Sequence, residues 1–285
     1  MTVTVDPAPY GARRPNSVIQ AILTFTRSLP ANWLGLRVSM AFRRPVIKWL
    51  GDRAVDTTVW NMRVRLYPMN NSCEKYALFT PQLFDAIERD LLAAAIDQRA
   101  ARGEPFCFVD IGANVGLYSL FVASRAGKWA RVLAAEPQPG ILERLRFNLG
   151  ANTGFEVTVL PFAVADHDGE AELVINPRDS GGTHLDVAQA SAVDAERVRV
   201  QCRPLTAILR DAGISSIDAL KIDIEGAEDI ALAPFLLAAS PELLPRLILI
   251  EDRPTDWAVD LHALLRQRGY TFTIRKRHNV VWRLQ

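Results

Sequence analysis

Two carboxylates in the middle of the chain, Asp110 and Glu136, occupy positions at which an acid could bind a nucleoside cofactor. Asp110 comes at the end of an apolar run and is followed by Gly112, Asn114 and Gly116, and glycines allow a backbone to approach a ligand closely. Glu136 closes the next apolar run, where an acid can accept hydrogen bonds from ribose hydroxyls. The spacing therefore predicts a strand, a glycine turn, a helix and a second strand around a nucleoside cofactor.

The composition of the glycine loop discriminates between nucleoside cofactors. Dinucleotides are bound by GxGxxG, whose second glycine lets a pyrophosphate lie against the N-terminus of a helix. Here the sequence is DxGxNxG, and the acid at its start, Asp110, would repel a pyrophosphate but attract the sulfonium and ammonium groups of S-adenosylmethionine. We therefore predict S-adenosylmethionine as the cofactor, and an NAD-dependent oxidoreductase built on the same kind of sheet is the alternative.

Another predicted strand carries acids to its end further along the chain. In the segment IDALKIDIEGAE, apolar residues alternate with Lys221, Asp223 and Glu225 before Gly226 ends the run. Ligands of open parallel sheets bind at the carboxyl ends of the strands, so we expect Asp223 and Glu225 to face the crevice that holds the first two acids. The alternative is a solvated turn in which Glu225 or Glu228 only supplies negative charge to a helix N-terminus.

These motifs together resemble the FkbM-family methyltransferases, a branch of the class I enzymes that use S-adenosylmethionine. The resemblance spans roughly residues 106–252 and rests on segments that occur in the family's order, namely FVDIGANVGLYSL, AAEPQP, FAVADHDGEAEL, GGTHL, KIDIEGAE and LILIED. It implies an α/β, Rossmann-like class I methyltransferase fold, with a mostly parallel seven-stranded sheet and an antiparallel last strand. It also implies O-methylation of a hydroxyl on a sugar, a glycan or a polyketide-type metabolite, without identifying this small-molecule or glycan acceptor.

The chain ahead of the first cofactor strand is predicted to be a largely helical region. Alternation of apolar and polar residues predicts a strand over residues 59–66, paired as a hairpin with residues 55–58. Apolar residues recur at helical spacing in three segments, residues 17–29, 33–50 and 81–103. We therefore predict an N-terminal tail and helical cap over residues 1–103, which shapes the acceptor pocket, and a methyltransferase domain over residues 104–285.

Similarity to the family extends the predicted cofactor site beyond the glycine loop. Phe79 and Thr80 are expected by similarity to contact the methionine part of the cofactor, and Phe162 and Ala163 are expected to line the adenine. The plain alternative is that Thr80 caps the helix that begins at Pro81, with Phe79 as its hydrophobic staple. The predicted cofactor-binding set is Phe79, Thr80, Asp110, Gly112, Asn114, Gly116, Glu136, Phe162, Ala163 and Asp223.

The remaining chemistry is the removal of a proton from the acceptor. Methyl transfer is an in-line displacement at the sulfonium carbon, so the enzyme must align two reactants and deprotonate a hydroxyl. We assign Asp223 as the first candidate for the catalytic base, His184 as the second and Glu251 as a further one, with a plain surface histidine as the alternative for His184. Asp223, Glu225 and Glu251 could instead converge on a divalent cation such as magnesium or calcium, but we predict no metal ligand.

The overall composition argues against several kinds of partner. A formal net charge of +1 over 285 residues gives no electrostatic footprint for nucleic acid. Three cysteines without a CxxC pair argue against disulfides or a zinc site, so we expect a cytoplasmic setting. The sequence contains no apolar stretch of about 18 residues, so we predict no transmembrane segment. The N-terminus does not resemble a secretory signal, and we expect the first dozen or so residues to form a loose tail. The sequence predicts no particular oligomeric state.

The second predicted helix combines aromatic and basic side chains. The residues concerned, in and just after this helix, are Trp33, Phe42 and Trp49 with Arg37, Arg43, Arg44, Lys48 and Arg53. Such a segment could bind weakly to a membrane surface, which makes a noncatalytic membrane-associated module a third hypothesis. We favour the interpretation in which the aromatic residues pack on the core and the cations are solvated. The acids of the cofactor motifs also argue against a module without catalytic function.

Overall fold

The computed structural model describes residues 5–176, 179–185, 196–276 and 278–285. In chain order its helices are α1 (Ser17–Ser28), α2 (Trp33–Leu50), α3 (Ser72–Phe79), α4 (Ala86–Ala100), α5 (Leu117–Ala126), α6 (Pro139–Gly150), α7 (Leu205–Asp211), α8 (Glu228–Ala238) and α9 (Leu261–Gln267). Its strands are β1 (Val55–Val59), β2 (Met62–Leu66), β3 (Phe106–Ile111), β4 (Ala130–Ala135), β5 (Val157–Leu160), β6 (Ala163–Ala165), β7 (Gly169–Val174), β8 (His184–Leu185), β9 (Arg197–Pro204), β10 (Ala219–Ile222), β11 (Leu247–Glu251), β12 (Tyr270–Lys276) and β13 (Asn279–Leu284).

A seven-stranded sheet forms the centre of the molecule, in the spatial order β12-β13-β11-β10-β3-β4-β5. The last strand of the chain, β13, pairs antiparallel with both β11 and β12, whereas the other neighbouring pairs are parallel. The inner strands β3 and β10 are buried along their whole length because helices cover both faces of a parallel sheet. The predicted α/β fold with a mostly parallel sheet and an antiparallel last strand is confirmed.

The two faces of this sheet bury different sets of side chains, as the alternation of a strand requires. In β3, Phe106 and Phe108 pack on the face that also carries α4, α5 and the N-terminal elements. Val109 and Ile111 of the same strand pack on the opposite face, against α7, α8 and α9. The N-terminal elements thus share a hydrophobic core with the sheet, and the predicted division between residues 103 and 104 stays a prediction.

A second, smaller sheet was not predicted as a unit. Its four strands lie in the order β6-β9-β7-β8, with β6 parallel to β9 and the other pairs antiparallel. Strand β7 begins at Gly169 and Ala163 lies in β6; these two strands lie on either side of β9 and do not pair with each other. This arrangement brings β6 close to the end of β5, beside the carboxyl edge of the main sheet.

The predicted cap elements differ in detail from the structure. The hairpin is formed by β1 and β2, and its turn consists of Trp60 and Asn61, which both have positive φ, so the strand predicted from residue 59 was wrong at these two positions. The helix predicted from Pro81 begins at Ala86 as α4. Helix α3 was missed, because its eight residues show no clear apolar periodicity.

A buried ion pair holds the N-terminal segment from residue 6 onward, so the expected loose tail is wrong for these residues, while residues 1–4 lie outside the described part of the structure. Arg65 and Asp56 on the hairpin are both buried, and Arg65 Nε donates to Asp56 Oδ1 at 2.7 Å. Arg65 Nη1 also donates to the backbone oxygens of Asp6 and Ala8, each at 2.7 Å. The second oxygen of Asp56 accepts from the amide of Gly11 at 2.7 Å. Residues 6–11 are therefore fixed along the hairpin.

A close approach of two backbones joins the ends of β3 and β10. Gly112 has a φ of +74°, and a Cβ at this position would lie 2.0 Å from the backbone oxygen of Asp223. The amide of Asp223 donates to the oxygen of Ile111 at 3.1 Å, and the amide of Gly112 donates to Ala135 at 3.0 Å. Only glycine fits here, because any side chain would separate the strand ends.

We predict that Gly112→Ala lowers the free energy of unfolding by at least about 3 kcal/mol, since it combines a positive φ with a collision against a backbone carbonyl. Gly103→Ala is the matched control, because Gly103 has a φ of +66° but no atom within 4 Å of its Cβ position. The control should lose only about 1 kcal/mol from backbone strain. Urea denaturation of both variants measures the difference, and equal losses would contradict the steric argument.

Candidate functional site

A cavity opens at the carboxyl ends of β3, β4 and β10. It contains about 810 Å³ of space not filled by protein atoms, including open solvent at its mouth. The lining residues that the sequence predicted are Gly112, Asn114, Glu136, Phe162, Ala163, Asp223 and Glu225. Glu136, Asp223 and Glu225, which were predicted from their places at strand ends, therefore reach the cavity, and the roles of all seven residues toward a ligand stay predictions.

The lining is strongly asymmetric in charge. It includes four carboxylates and, among the described residues, no basic side chain. These acids are Glu136, Asp179, Asp223 and Glu225. Apolar residues complete the wall, among them Ile111, Ile141 and Phe162. A cavity of this kind favours a ligand with an apolar part and a positive charge, because unlike charges attract strongly where solvent is partly excluded.

Glu136 directly follows the last residue of β4 and is buried. Its Oε2 accepts from the amide of Asn114 and its Oε1 from the amide of Gln138, both at 2.9 Å. Burial raises the pKa of Glu136 to about 7, although these two amides act to lower it. Each carboxylate oxygen has a second lone pair, so Glu136 can still accept hydrogen bonds from a ligand.

Asp223 directly follows the last residue of β10 and is oriented by a lysine. Lys221 Nζ donates to Asp223 Oδ2 at 3.1 Å. Burial acts to lower the pKa of Lys221, but Asp223 and Asp110 outweigh it and raise that pKa, so Lys221 stays protonated. Lys221 thus supplies one positive charge to two carboxylates, Asp110 and Asp223, on adjacent strands.

Asp110 and Gly116, both predicted to bind the cofactor, do not line the cavity. Asp110 is fully buried, and its Oδ2 accepts from Ser119 Oγ of helix α5 at 2.6 Å. Its Oδ1 has no hydrogen-bond partner among the described residues. Gly116 has a φ of +86°, and a Cβ there would lie 2.5 Å from Leu145 Cδ1. The structure therefore supports positioning roles for these two residues: Asp110 connects the loop to α5, and Gly116 allows it to pack against Leu145 of α6.

Three carboxylates meet beside the cavity at the ends of β10 and β11. Asp223, Glu225 and Glu251 each offer an oxygen within 4.8 Å of the others. Burial and the neighbouring Asp223 raise the pKa of Glu225 to about 7 and that of Glu251 to about 8. Arg253 forms ion pairs with both glutamates, and its Nη2 lies 3.0 Å from Glu251 Oε1. The cluster has the ligand type of the divalent-cation alternative, but Arg253 already neutralises two of its members.

Glu228 supports the loop and lies outside the cavity lining. It is fully buried, so the alternative of a solvated turn is wrong for this residue. Its Oε1 accepts from the amides of Ile224 and Gly226 at 3.0 and 3.2 Å. Its Oε2 accepts from the indole of Trp257 at 2.9 Å. The carboxylate thereby fixes the turn in which Glu225 has a positive φ of 59°.

Phe79 and Thr80 are not part of the cavity. They are 0% and 1% exposed, and neither belongs to the lining residues. Thr80 ends helix α3, and its amide donates to the oxygen of Tyr76 at 2.8 Å, so the alternative of an N-cap was also wrong. The same helix reaches the cavity with its other end, through Ser72 and Cys73.

The start of α3 joins the glycine loop through two asparagines. Asn71 accepts from the amide of Glu74 at 3.0 Å as the N-cap of α3. Its Nδ2 donates to Asn114 Oδ1, also at 3.0 Å. Asn114 has a positive φ of 51° and accepts at the same oxygen from the amide of Val115. Asn114 thus connects the cap to the cofactor motif.

Asp179 and Ser180, which lie between β7 and β8 in the chain, contact the cap. The amide of Ser180 donates to the backbone oxygen of Asn70 at 2.7 Å. The amide of Ser72 donates to Asp179 Oδ1 at 3.0 Å, across 107 positions of sequence. Asp179, Ser180 and Thr183 therefore form one wall of the cavity. The backbone of His184 pairs with Val174, whereas the catalytic prediction for its side chain lies outside the described part of the structure.

The Methyltransferase FkbM domain family matches residues 110–272. This match covers more than half of the chain and includes the acids at the ends of β4, β10 and β11. The chain belongs to the FkbM methyltransferase family. The resemblance seen in the sequence motifs is thereby confirmed, and the cavity described above lies within the FkbM domain together with residues of the cap.

Two curated relatives share part of this region. The AMB antimetabolite synthetase AmbE of Pseudomonas aeruginosa is 31% identical over 59% of this chain, which corresponds to 10% of AmbE. The methyltransferase sdnD of Sordaria araneosa is 28% identical over 59% of this chain and 74% of its own length. The FkbM chain thus matches a small part of the first relative and most of the second.

A solved structure of a SAM-dependent methyltransferase from Agrobacterium tumefaciens superimposes with a TM-score of 0.45 and 10% identity. The superposition covers 81% of this chain and 70% of that one. The order and direction of the seven strands, rather than this partial superposition, establish the fold of the FkbM chain.

We predict that the ionisation of Glu136 destabilises the ligand-free protein as pH rises. Its pKa is about 7 in the fold against an ordinary value of 4.5, so the folded state keeps this proton longer than the unfolded chain. The resulting stabilisation is complete below about pH 4.5 and is lost as pH rises through about 7. Relative to Glu136→Gln, the free energy of unfolding of the wild type should fall by on the order of 2 kcal/mol across this window.

Urea denaturation of both proteins between about pH 5 and about pH 8 measures this difference. Glu143→Gln, at an exposed position of helix α6, is the control for the loss of one carboxylate. A difference between wild type and Glu136→Gln that does not change with pH would contradict the assignment.

Proposed function

We propose that the chain is an S-adenosylmethionine-dependent O-methyltransferase whose acceptor is a hydroxyl of a sugar, a glycan or a polyketide-type metabolite. The observation that carries the cofactor is the lining of the cavity, with its four carboxylates and no described basic side chain. A sulfonium and an ammonium group would be attracted to this lining. The names of the two relatives, a methyltransferase and an antimetabolite synthetase, support methylation of a metabolite.

The same lining disfavours the oxidoreductase alternative. The pyrophosphate of NAD needs backbone amides and positive charge around it. At the end of β4, however, Glu136 takes up the amides of Asn114 and Gln138. A pyrophosphate in this cavity would therefore meet carboxylates in place of donors.

The arrangement suggests how the cofactor lies. In the proposal, Glu136 accepts hydrogen bonds from the ribose hydroxyls, because it stands at the end of the second strand with free lone pairs. The adenine lies between apolar residues on the far side of Glu136, where Ile141, Phe162 and Ala163 line the wall. The methionine end then points toward Asp223, where the sulfonium meets negative charge.

The acceptor is proposed to enter beside Asp223, Glu225 and the wall formed by residues 179–183. Asp223 is the proposed base because it lines the cavity and is held by Lys221. Glu225 is a second candidate, since its pKa of about 7 suits proton transfer near neutrality. Glu251 lies outside the lining and would act through Arg253 and Glu225, as a positioning residue.

We predict that S-adenosylhomocysteine raises the melting temperature of the protein and that NAD leaves it unchanged, since only a ligand of the folded state stabilises it. Glu136→Gln should weaken S-adenosylhomocysteine binding by about 10- to 100-fold, because it replaces a charged acceptor of two hydroxyls. Isothermal titration calorimetry gives the affinity, with Glu143→Gln as the matched control. Stabilisation by NAD alone would reject the proposed cofactor.

We predict that Asp223→Asn lowers kcat by about 10²- to 10⁴-fold while the cofactor dissociation constant changes much less, because asparagine keeps the shape but cannot take a proton. Labelled cofactor and a panel of glycans, glycolipids and polyketides identify an acceptor on which kcat is measured. Glu251→Gln should have a smaller effect. An Asp223→Asn enzyme with unchanged kcat would show that another group is the base.

A further inference from the structure

The helical hairpin at the N-terminus exposes large apolar side chains that the sequence interpretation had assigned to the core. Trp33, Phe42 and Trp49 are 72%, 39% and 54% exposed, so that interpretation was wrong. Phe25 of α1 is 44% exposed and contacts Phe42 of α2 edge to face, with ring centroids 5.2 Å apart. The apolar surface therefore continues from one helix to the other.

These side chains form a row and do not lie singly on the surface. In α1, Val18, Ala21 and Phe25 are exposed and separated by three and four residues, so they share one face. In α2, Phe42, Pro45 and Trp49 show the same spacing and exposure. The Phe25–Phe42 contact places the two stripes side by side on the outside of the hairpin. We call this surface the apolar row.

A line of cations borders the apolar row. Arg37, Arg44 and Lys48 are exposed and lie on one face of α2, next to the face that carries Trp49. Among the residues that the structure describes, none forms an ion pair with these three. The whole segment of residues 17–51 contains five basic residues and neither aspartate nor glutamate. Its charge is therefore unbalanced, although the chain as a whole is nearly neutral.

We propose that this hairpin docks the protein onto an anionic membrane surface. Aromatic and aliphatic side chains next to a row of arginine and lysine are the pattern of helices that lie in the plane of the lipid headgroups. The cations can reach the anionic headgroups while the apolar row enters the acyl boundary. Within the described residues, every helix is too short or too polar to cross a bilayer, so the contact is with the surface.

A second copy of the chain fits this surface less well. A two-fold interface would place the same patch against itself and bring the three exposed cations of each copy into one interface. Like charges in contact oppose such a dimer. An anionic lipid surface satisfies both the apolar row and the cations, which is why the proposal commits to it.

The test is cosedimentation of the full chain with vesicles of phosphatidylcholine alone or mixed with phosphatidylglycerol. We expect binding to the anionic vesicles, weakened by salt, and at least tenfold weaker partition for the variant Arg37→Glu/Arg44→Glu/Lys48→Glu. Arg102→Glu/Arg146→Glu/Arg210→Glu is the matched control, because it changes net charge equally at exposed positions elsewhere. It should retain most of the binding.

A second pair of variants tests the apolar row. Trp49→Ser should weaken partition several-fold, while Trp129→Ser, at a site that is 46% exposed outside the hairpin, should not. Circular dichroism and thermal unfolding show that each variant is folded. The proposal is overturned if wild type ignores anionic vesicles, or if both charge variants bind equally. It is also overturned if sedimentation without lipid shows a dimer that Trp49→Ser dissociates, since the row would then be a protein interface.

Discussion

The contact between Gly112 and the backbone of Asp223 sets the geometry of the whole site. Without a side chain at Gly112, the ends of β3 and β10 lie close enough for the amide of Asp223 to pair with Ile111. The loop after β3 then turns toward β4, where Ala135 and Glu136 accept its amides. Three strand ends are thereby fixed to one another, and the carboxylates that follow β4 and β10 face a common space.

The cost of this arrangement is a concentration of buried negative charge. Burial raises the pKa of Glu136, Glu225 and Glu251. Lys221 and Arg253 neutralise part of the negative charge through their contacts with Asp223 and Glu251. Neither of these cations belongs to the described lining. A cationic ligand would complete the compensation from inside the cavity, which connects the electrostatics of the ligand-free protein to the proposed cofactor.

The sequence predicted correctly which carboxylates reach the cavity where they directly follow a strand, but not where the carboxylate still lies within the strand. Glu136 and Asp223 follow the last residue of their strands and reach the cavity, whereas Asp110 still lies within β3. In a strand, side chains alternate between faces, so Asp110 shares the face of Phe108 and meets α5. Asp179 and Ser72 could not be predicted, because their contact joins segments 107 positions apart. Helical spacing also could not show that the faces with Phe25 and Trp49 remain exposed, since periodicity does not reveal what covers a face.

A crystal structure of the protein with S-adenosylhomocysteine tests the central claim most directly. We predict density for the nucleoside at the ends of β3, β4 and β10, with its ribose on Glu136 and its amino acid part toward Asp223. A ligand bound elsewhere, or this cavity filled by its own side chains while the ligand is present at saturating concentration, would contradict the account.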